Sequence, residues 1–200
     1  MRLMVNEQIL QERANRTRVR RHEHRTRERI SRTRRATTDT EIWPVKIISG
    51  GQTGADRAAL DFALEHGLEC GGSVPRGRLA EDGRIPDRYP GLVETDTADP
   101  AERTGQNVRE ADATLIVSHG PLHGGSQLTL EKARGRGKPV LHLDVQALGI
   151  GVATERLREW LEIERPRVLN VAGPRASDDA EIYDAVATLL HLAGDALGPS

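Results

Sequence analysis

Short runs of β-branched and aliphatic residues alternate along the chain with stretches of helical periodicity. The runs predict strands at residues 45–48, 68–74, 92–95, 113–118, 139–143 and 167–171. Between them, apolar residues recur three and four positions apart, as at Leu60, Ala63 and Leu64, which predicts helices. The alternation predicts an α/β fold: a doubly wound, mostly parallel, Rossmann-like sheet with helices on both faces.

The first predicted strand leads directly into a glycine-rich turn. Gly50, Gly51 and Gly54 permit positive φ and a close approach of a ligand to the backbone. Thr53 and Asp56 have the spacing of a capping box, which predicts a helix beginning at Thr53. A helix N-terminus behind such a turn is suited to an anion, and the alternative is a tight turn without a ligand. The turn lacks the Gly-Lys-Ser/Thr ending of a Walker A motif.

A second strand, glycine loop and helix follow at residues 113–118 and beyond. The loop contains His119 and His123, and Ser126 is predicted to cap the helix. In a doubly wound sheet, ligands lie beyond the carboxyl ends of the strands where strand order reverses. We expect the strands before the two glycine loops to be neighbours there, so that both helix N-termini hold one anion. The two histidines have no evident third ligand, so we predict no metal site.

Residues 75–86 form a long predicted loop that is rich in charge, glycine and proline. Arg76, Arg78 and Arg84 are suited to hold phosphate or carboxylate through forked hydrogen bonds. The alternative is an ordinary solvated surface loop. Loops of this length and composition are often functional.

Charge divides the chain into two parts. Residues 1–40 hold 12 Arg and 5 acidic residues, which leaves 17 of the 29 basic and 25 of the 30 acidic residues to the remainder. The first part therefore carries a net charge of +7 and the remainder −8. We predict an Arg-rich, disordered extension over residues 1–41 and a single Rossmann-like ligand-binding domain over residues 42–196.

Three accounts of the extension compete. The first is a basic arm that binds nucleic acid, and the second is a targeting presequence. The third is that the start site is assigned too far upstream. No aromatic residue lies among its arginines, so a stacking surface for nucleic acid is not indicated. Its glutamates argue against a presequence. We favour a dispensable extension and do not expect nucleic acid as a partner.

The rest of the composition restricts the class of protein. No apolar run approaches the roughly 20 residues of a membrane span, so no membrane association is expected. The N-terminus has no apolar segment of a secretory signal. Cys70 is the only cysteine, which fits a reducing compartment, and we predict a cytoplasmic protein in which this thiol is buried and inert.

Four motifs carry a family resemblance. They are GGQTGADRAALDFALEHG, PRGRLAEDGRIP, RTGQNVREADATLIVSHGPLHGGSQLT and GKPVLHLD. Over residues 45–190 the chain resembles the molybdenum carrier family, which is itself similar to molybdenum cofactor carrier proteins with a Rossmann-like fold. Ala55 and Ser126 stand where a slightly different small residue is expected.

The resemblance implies a cofactor-binding protein rather than an enzyme. The expected ligand is molybdenum cofactor (molybdopterin), a phosphorylated pterin dithiolene, or a similar nucleotide-derived molecule. Molybdoenzymes are then possible partners, and a homo-oligomer is expected. The residues predicted to bind the ligand are Gly50, Gly51, Gln52, Thr53, Gly54, Asp56, Arg57, Arg76, Arg78, Glu81, Asp82, Asn107, Gly124, Gly125, Ser126 and Thr129.

The same resemblance offers an enzyme as the alternative. The chain also looks related to lysine-decarboxylase-like phosphoribohydrolases, whose loop is Gly-Gly-x-Gly-Thr-x-x-Glu. Here the corresponding loop keeps Glu131 but has Gln127 and Leu128 where that pattern has glycine and threonine. The alternative is an enzyme or sensor for a nucleotide-derived ligand, with Glu131 and an arginine as catalytic candidates.

Overall fold

The computed structural model describes residues 46–194 and contains one six-stranded sheet and one two-stranded hairpin. The strands are β1 (Lys46–Ile48), β2 (Glu69–Val74), β3 (Leu79–Ala80), β4 (Gly83–Arg84), β5 (Leu92–Glu94), β6 (Ala113–Ser118), β7 (Val140–Asp144) and β8 (Val168–Ala172). The helices are α1 (Ala55–Glu65), α2 (Pro100–Glu110), α3 (Gly124–Gly135), α4 (Val145–Leu148), α5 (Ile150–Glu164) and α6 (Ile182–Leu192). The predicted extension over residues 1–41 lies outside the described residues.

All neighbouring strands of the large sheet run parallel, in the order β5-β2-β1-β8-β6-β7. This confirms the predicted α/β class and parallel sheet. The expected adjacency of the two strands before the glycine loops is wrong, because β8 lies between β1 and β6. β8 suits that central position, since Leu169, Asn170 and Val171 are all buried. If β8 is counted as strand 1 and is followed by β1, β2, β5, β6 and β7, the order across the sheet is 4-3-2-1-5-6. This order reverses once, between β8 and β6.

Helices cover both faces of the sheet. α1 and α5 both pack against α6, while α2 packs against α3. The consecutive residues Ile47 and Ile48 are both buried, although their side chains point to opposite faces of the strand. The apolar runs therefore mark strands that are covered on both sides, as the sequence indicates.

Two predicted helix starts are wrong. α1 begins at Ala55 with Gly54 as its N-cap, two residues after the predicted start at Thr53. The hydroxyl of Thr53 donates to Glu81 instead of capping the helix. α3 begins before the predicted cap, so that Ser126 lies inside its first turn. At Thr53 a tertiary contact replaces the local cap, and α3 begins two residues before its predicted cap.

Two further expectations concern the rest of the described chain. No helix within residues 46–194 combines the length and apolar character that crossing a membrane requires. Cys70 lies on β2 and is 6% exposed. Burial raises the pKa of its thiol. The prediction of a buried cysteine is therefore confirmed.

Candidate functional site

A cleft of about 480 Å³ lies at the carboxyl edge of the sheet, beyond the ends of β1, β8 and β6. Its walls come from the loop after β1, the first turn of α2, the loop and helix start after β6, and the loop after β8. The cleft thus spans the reversal of strand order, where ligands bind in doubly wound folds. Among the predicted site residues, Gln52, Gly124, Gly125 and Ser126 line it.

The second glycine loop (residues 119–126) opens onto this cleft. The N-cap of α3, His123, makes no capping hydrogen bond through its side chain. Among residues 46–194, no atom lies within 4 Å of a Cβ added at Gly124 or Gly125. The first N–H groups of a helix have no acceptor inside it and carry the positive end of its dipole. The start of α3 is therefore suited to donate hydrogen bonds to an anion in the cleft.

Hydrogen bonds fix the base of the second loop. The backbone N–H of Gly120 donates to Oδ1 of Asp144 at 2.8 Å, and this bond lowers the pKa of the carboxyl. The hydroxyl of Ser118 donates to the Gly120 carbonyl at 2.7 Å and lies 2.8 Å from Nε2 of His142. Burial lowers the pKa of His142. The first residues of the second loop are therefore fixed by hydrogen bonds, while its glycines at the start of α3 stay open to the cleft.

The first glycine loop (residues 50–54) uses its backbone donors within the protein. The N–H of Gln52 donates to Oδ2 of Asp56 at 3.2 Å. The N–H of Thr53 donates to the side-chain oxygen of Gln52 at 3.0 Å. Only Gln52 of this loop lines the cleft. The loop therefore offers fewer free donors than its glycines suggest.

Close packing explains the glycines of the first loop. Gly54 has a φ of +73°, and an added Cβ would lie 2.7 Å from the carbonyl oxygen of Pro174. The same oxygen accepts a hydrogen bond from the N–H of Ala55 at 3.2 Å. Gly51 has a φ of +71°, and its Cβ would lie 3.0 Å from Ile85. These positions require glycine for backbone conformation and close approach, independently of any ligand.

Arg103 on α2 lies in the cleft wall, and the sequence analysis missed it. Its Nη1 is 3.1 Å from Oδ2 of Asp56, which is itself only 3% exposed. A Cβ added at Gly50 would lie 1.5 Å from that Nη1, so the guanidinium occupies the space that this glycine leaves. Among the described residues its buried Nε has no hydrogen-bond partner. Gly50 and Asp56, both predicted site residues, therefore hold an arginine at the cleft.

Glu81 joins three segments behind the first loop. Its carboxylate accepts hydrogen bonds from the hydroxyls of Thr53 and Ser177, and from the N–H of Ser177 at 3.1 Å. Nε of Arg175 lies 3.4 Å from Oε2 of Glu81. The backbone N–H of Glu81 donates to the side chain of Gln52 at 2.9 Å. Burial alone would raise the pKa of this carboxyl, but the hydroxyl donors and Arg175 outweigh it and lower the pKa.

Arg57 and Asp82 form a forked ion pair beside this junction. Nη1 and Nη2 of Arg57 donate to the two carboxylate oxygens at 2.5 and 2.7 Å. The hydrogen bond from Arg57 is the main reason that the pKa of Asp82 is lowered. Asp82 lies in the turn between β3 and β4, and Arg57 lies on α1. The ion pair therefore connects the β3–β4 hairpin to α1. Neither residue lines the cleft.

The remaining predicted residues lie away from the cleft lining. Arg78 is buried and donates to the carbonyls of Ile85 and Pro86 at 3.3 and 3.0 Å. Arg76 is exposed on the same loop. Asn107 is 3% exposed and bonds both backbone groups of β2 at Ser73. Thr129 on α3 donates to the carbonyl of Gly125 at 2.8 Å.

A histidine and an aspartate form a hydrogen-bonded pair in the cleft. Nδ1 of His119 lies 2.7 Å from Oδ2 of Asp179, and both residues line the cleft. The other oxygen of Asp179 accepts a hydrogen bond from the N–H of Glu181 at 3.1 Å, which fixes the carboxylate. An imidazole held in this way presents its Nε2 for proton transfer. The sequence showed His119, but not its partner 60 residues further on.

The loop after β8 supplies three further cleft residues that sequence reasoning overlooked. Arg175, Asp178 and Asp179 all come from it. The only local signal is Gly173-Pro174 directly after a buried strand, which by itself indicates an ordinary turn. Their placement depends on β8 lying between β1 and β6, which the local sequence pattern does not specify.

A parallel α/β sheet with a cleft at the reversal of strand order between β8 and β6 defines a Rossmann-like protein. The chain belongs to the circularly permutated YpsA SLOG family, whose profile matches residues 47–193. The strand order agrees with a circular permutation. When the strands of the large sheet are numbered along the chain, neighbours in the sheet are not consecutive at two places, but when β8 is counted as the first strand this occurs at only one.

A solved structure shows the same fold at high sequence identity. The chain is 52% identical to a Syntrophus aciditrophicus protein whose 1.45 Å crystal structure is described as that of a putative molybdenum carrier protein. The match covers 74% of this chain and 94% of that chain, with a TM-score of 0.73. It confirms the resemblance to the molybdenum carrier family. No curated protein matches the chain.

Proposed function

We propose that the cleft binds molybdenum cofactor or a similar phosphorylated, nucleotide-derived ligand, and that the protein is a carrier of that ligand. The single observation that supports this most is the uncapped start of α3, which opens onto the cleft with free space in front of Gly124 and Gly125. The description of the Syntrophus protein as a molybdenum carrier supports the choice of ligand.

Two arginines line the cleft and offer donors to an anion, while Asp178 and Asp179 balance their formal charge. Arg103 is held by one contact to Asp56 and keeps other guanidinium donors available. Arg175, in the loop after β8, also lines the cleft and lies 3.1 Å from Asp178 and 3.4 Å from Glu81. We infer that a phosphate or oxometallate group binds between the start of α3 and these arginines, since each supplies N–H donors to oxygen anions. The predicted first-loop residues would then shape the site rather than bind the ligand.

The ligand is identified by what the purified protein retains. The full chain is expressed in a host that synthesises molybdenum cofactor, then denatured under oxidising conditions. We expect the fluorescence of an oxidised pterin, in near one-to-one ratio with protein, and molybdenum by mass spectrometry. A nucleotide absorbance without pterin would shift the proposal to the nucleotide-derived ligand. Neither compound, together with no binding of added molybdate or phosphate, would contradict it.

An enzyme acting on a nucleotide-derived ligand is the second candidate, and the pair of His119 with Asp179 favours it. The predicted catalytic residue Glu131 is less suited, because it is exposed on α3 and accepts a hydrogen bond from Gln127 at 2.8 Å. Replacing His119 with Asn should abolish any hydrolysis while leaving ligand binding, whereas Glu131→Gln should change neither. Unchanged hydrolysis in His119→Asn would exclude the pair as its cause.

Delivery to molybdoenzymes, a homo-oligomeric state and a cytoplasmic location belong to the same proposal. β5 is an edge strand of the sheet, and its Val93 is 62% exposed, which supports contact with another chain at that edge. Light scattering at increasing protein concentration tests the oligomer. A monomer at all concentrations would remove that part of the proposal.

A further inference from the structure

Two histidines and a glutamate meet where α1 and α6 end. Glu65 is the last residue of α1, His66 follows it, and His191 lies in the last turn of α6. One nitrogen or oxygen atom from each lies within 4.8 Å of the other two. All three side chains are exposed, and none lines the cleft. The cluster therefore lies apart from the proposed anion site and needs its own explanation.

Both imidazoles are oriented by hydrogen bonds to helix carbonyls. Nδ1 of His66 lies 2.9 Å from the carbonyl oxygen of Phe62, and Nδ1 of His191 lies 2.7 Å from that of Ala187. A carbonyl only accepts, so Nδ1 carries the proton in both rings and Nε2 keeps its lone pair in the neutral form. Metal-binding histidines are commonly oriented by such a bond from the nitrogen that does not bind the metal.

Aromatic packing restricts the motion of the two rings. The ring of Phe62, which is 1% exposed, stacks on His66 with a centroid separation of 4.1 Å. It meets His191 edge-on at 5.1 Å, and the two imidazole centroids are 4.9 Å apart. The histidines are thus held next to each other by a core residue. Little conformational entropy remains to be lost when an ion binds both.

The spacing fits a small tetrahedral ion. Nε2 of His191 lies 3.4 Å from Oε2 of Glu65. Two ligands of a tetrahedral zinc ion, each at about 2.0–2.1 Å from the metal, lie roughly 3.3 Å apart. The other two separations between donor atoms are at most 4.8 Å, so side-chain rotation must shorten them when an ion binds. Two histidines with one glutamate form a common zinc ligand set that leaves one position for water.

We propose that Glu65, His66 and His191 bind a zinc ion that joins the C-terminal ends of α1 and α6. The alternative is a simple ion pair of His191 with Glu65, which needs neither His66 nor a metal. The two differ in what His66 does, because only the metal site uses all three side chains. A bound ion would link the two helices whose N-terminal ends adjoin the first glycine loop and the loop after β8.

The test uses the full chain after treatment with a chelator. Co²⁺ is added as a visible probe of four-coordinate geometry, and Zn²⁺ affinity is measured by competition with a coloured chelator. We expect one ion per chain, with displacement of Co²⁺ by Zn²⁺ and a higher melting temperature in the presence of zinc. His66→Gln and His191→Gln should each weaken Zn²⁺ binding at least about tenfold, as should Glu65→Gln.

Two controls separate this site from other histidines. His123→Gln removes an exposed histidine elsewhere and should bind Zn²⁺ as the wild type does. A double change of His22 and His24 to Gln tests the histidines in the Arg-rich segment and should also leave binding unchanged. Circular dichroism checks that each variant is folded, and the exposed Glu65 provides a variant that leaves the contact with Phe62 intact. Zn²⁺ affinity that is equal in the wild type, His66→Gln and Glu65→Gln would overturn the proposal.

Discussion

The two glycine loops have similar sequences and opposite environments. In the first, added Cβ atoms at Gly50 and Gly54 would lie within 3 Å of other atoms, and the backbone donors of Gln52 and Thr53 are already used. In the second, a Cβ added at Gly124 or Gly125 would meet nothing within 4 Å in the part of the chain that the structure describes. The first loop is therefore part of the packed interior, while the second is an open surface of the cleft.

This difference separates two reasons for glycine after a buried strand. One is close packing of backbone against backbone, as between Gly54 and Pro174. The other is room for a molecule that is not part of the chain, as in front of Gly125. The same sequence pattern serves both, so glycine-rich loops alone do not identify a binding site. Three changes test the contrast, from the largest expected effect to the smallest.

Replacement of Gly54 by Ala should strongly destabilise the domain. The new Cβ would lie 2.7 Å from a backbone oxygen, at a φ of +73° that side chains disfavour. Together, strain and overpacking should cost about 2–6 kcal/mol of unfolding free energy. Urea denaturation measures the loss. The matched control is Gly125→Ala, for which we expect no loss and up to about 1 kcal/mol of stabilisation, because it lies in open space within a helix. If both variants lose the same unfolding free energy, the proposed difference in packing between the two loops is wrong.

Replacement of Gly125 by Asp should weaken ligand binding without unfolding the protein. A carboxylate in the first turn of α3 favours the helix dipole but repels an anion bound in front of it. At a separation of several ångströms near the surface, this repulsion is on the order of 1–3 kcal/mol, or about 5- to 150-fold in affinity. Isothermal titration with the copurified ligand, or with molybdate, measures the effect.

The neutral variant Gly125→Asn is the matched control for that experiment, since it has the same size without the charge. It should bind within a few-fold of the wild type. If Asp and Asn weaken binding equally, the effect is steric and the anion does not lie at the start of α3.

Replacement of Glu81 by Gln should change the acid dependence of stability by a small amount. The pKa of Glu81 is lowered from its ordinary value of 4.5 in the folded protein. Its contribution is therefore complete above pH 4.5 and is lost as the pH falls through the lower folded value. The wild type should lose stability more steeply with acid below that pH than Glu81→Gln. Melting temperatures of both proteins are measured between neutral and acid pH. If the melting temperature falls with acid equally in both, the contacts of Glu81 with Thr53 and Ser177 do not stabilise the fold.

Much of the fold was predictable from the apolar pattern. β6 has the predicted bounds, and the other strands of the sheet lie within one or two residues of those predicted where the structure describes them. Helix starts were less predictable, because the hydroxyl of Thr53 bonds Glu81 instead of capping α1, and Ser126 lies inside the first turn of α3. Of the predicted site residues, those at the start of α3 and Gln52 line the cleft. Arg78 and Asn107 carry the right chemistry but bond the protein's own backbone.

The sequence by itself determined the class of fold, because residues buried on both faces of a strand must be apolar wherever that strand lies in the sheet. It also identified both glycine loops and the family. Only the tertiary structure decided that β8 enters between β1 and β6, since strand order depends on contacts between distant segments. That insertion brings Asp179 to His119 and Arg175 to the cleft. A site built from loops far apart in the chain has no local pattern, and packing alone assembles it.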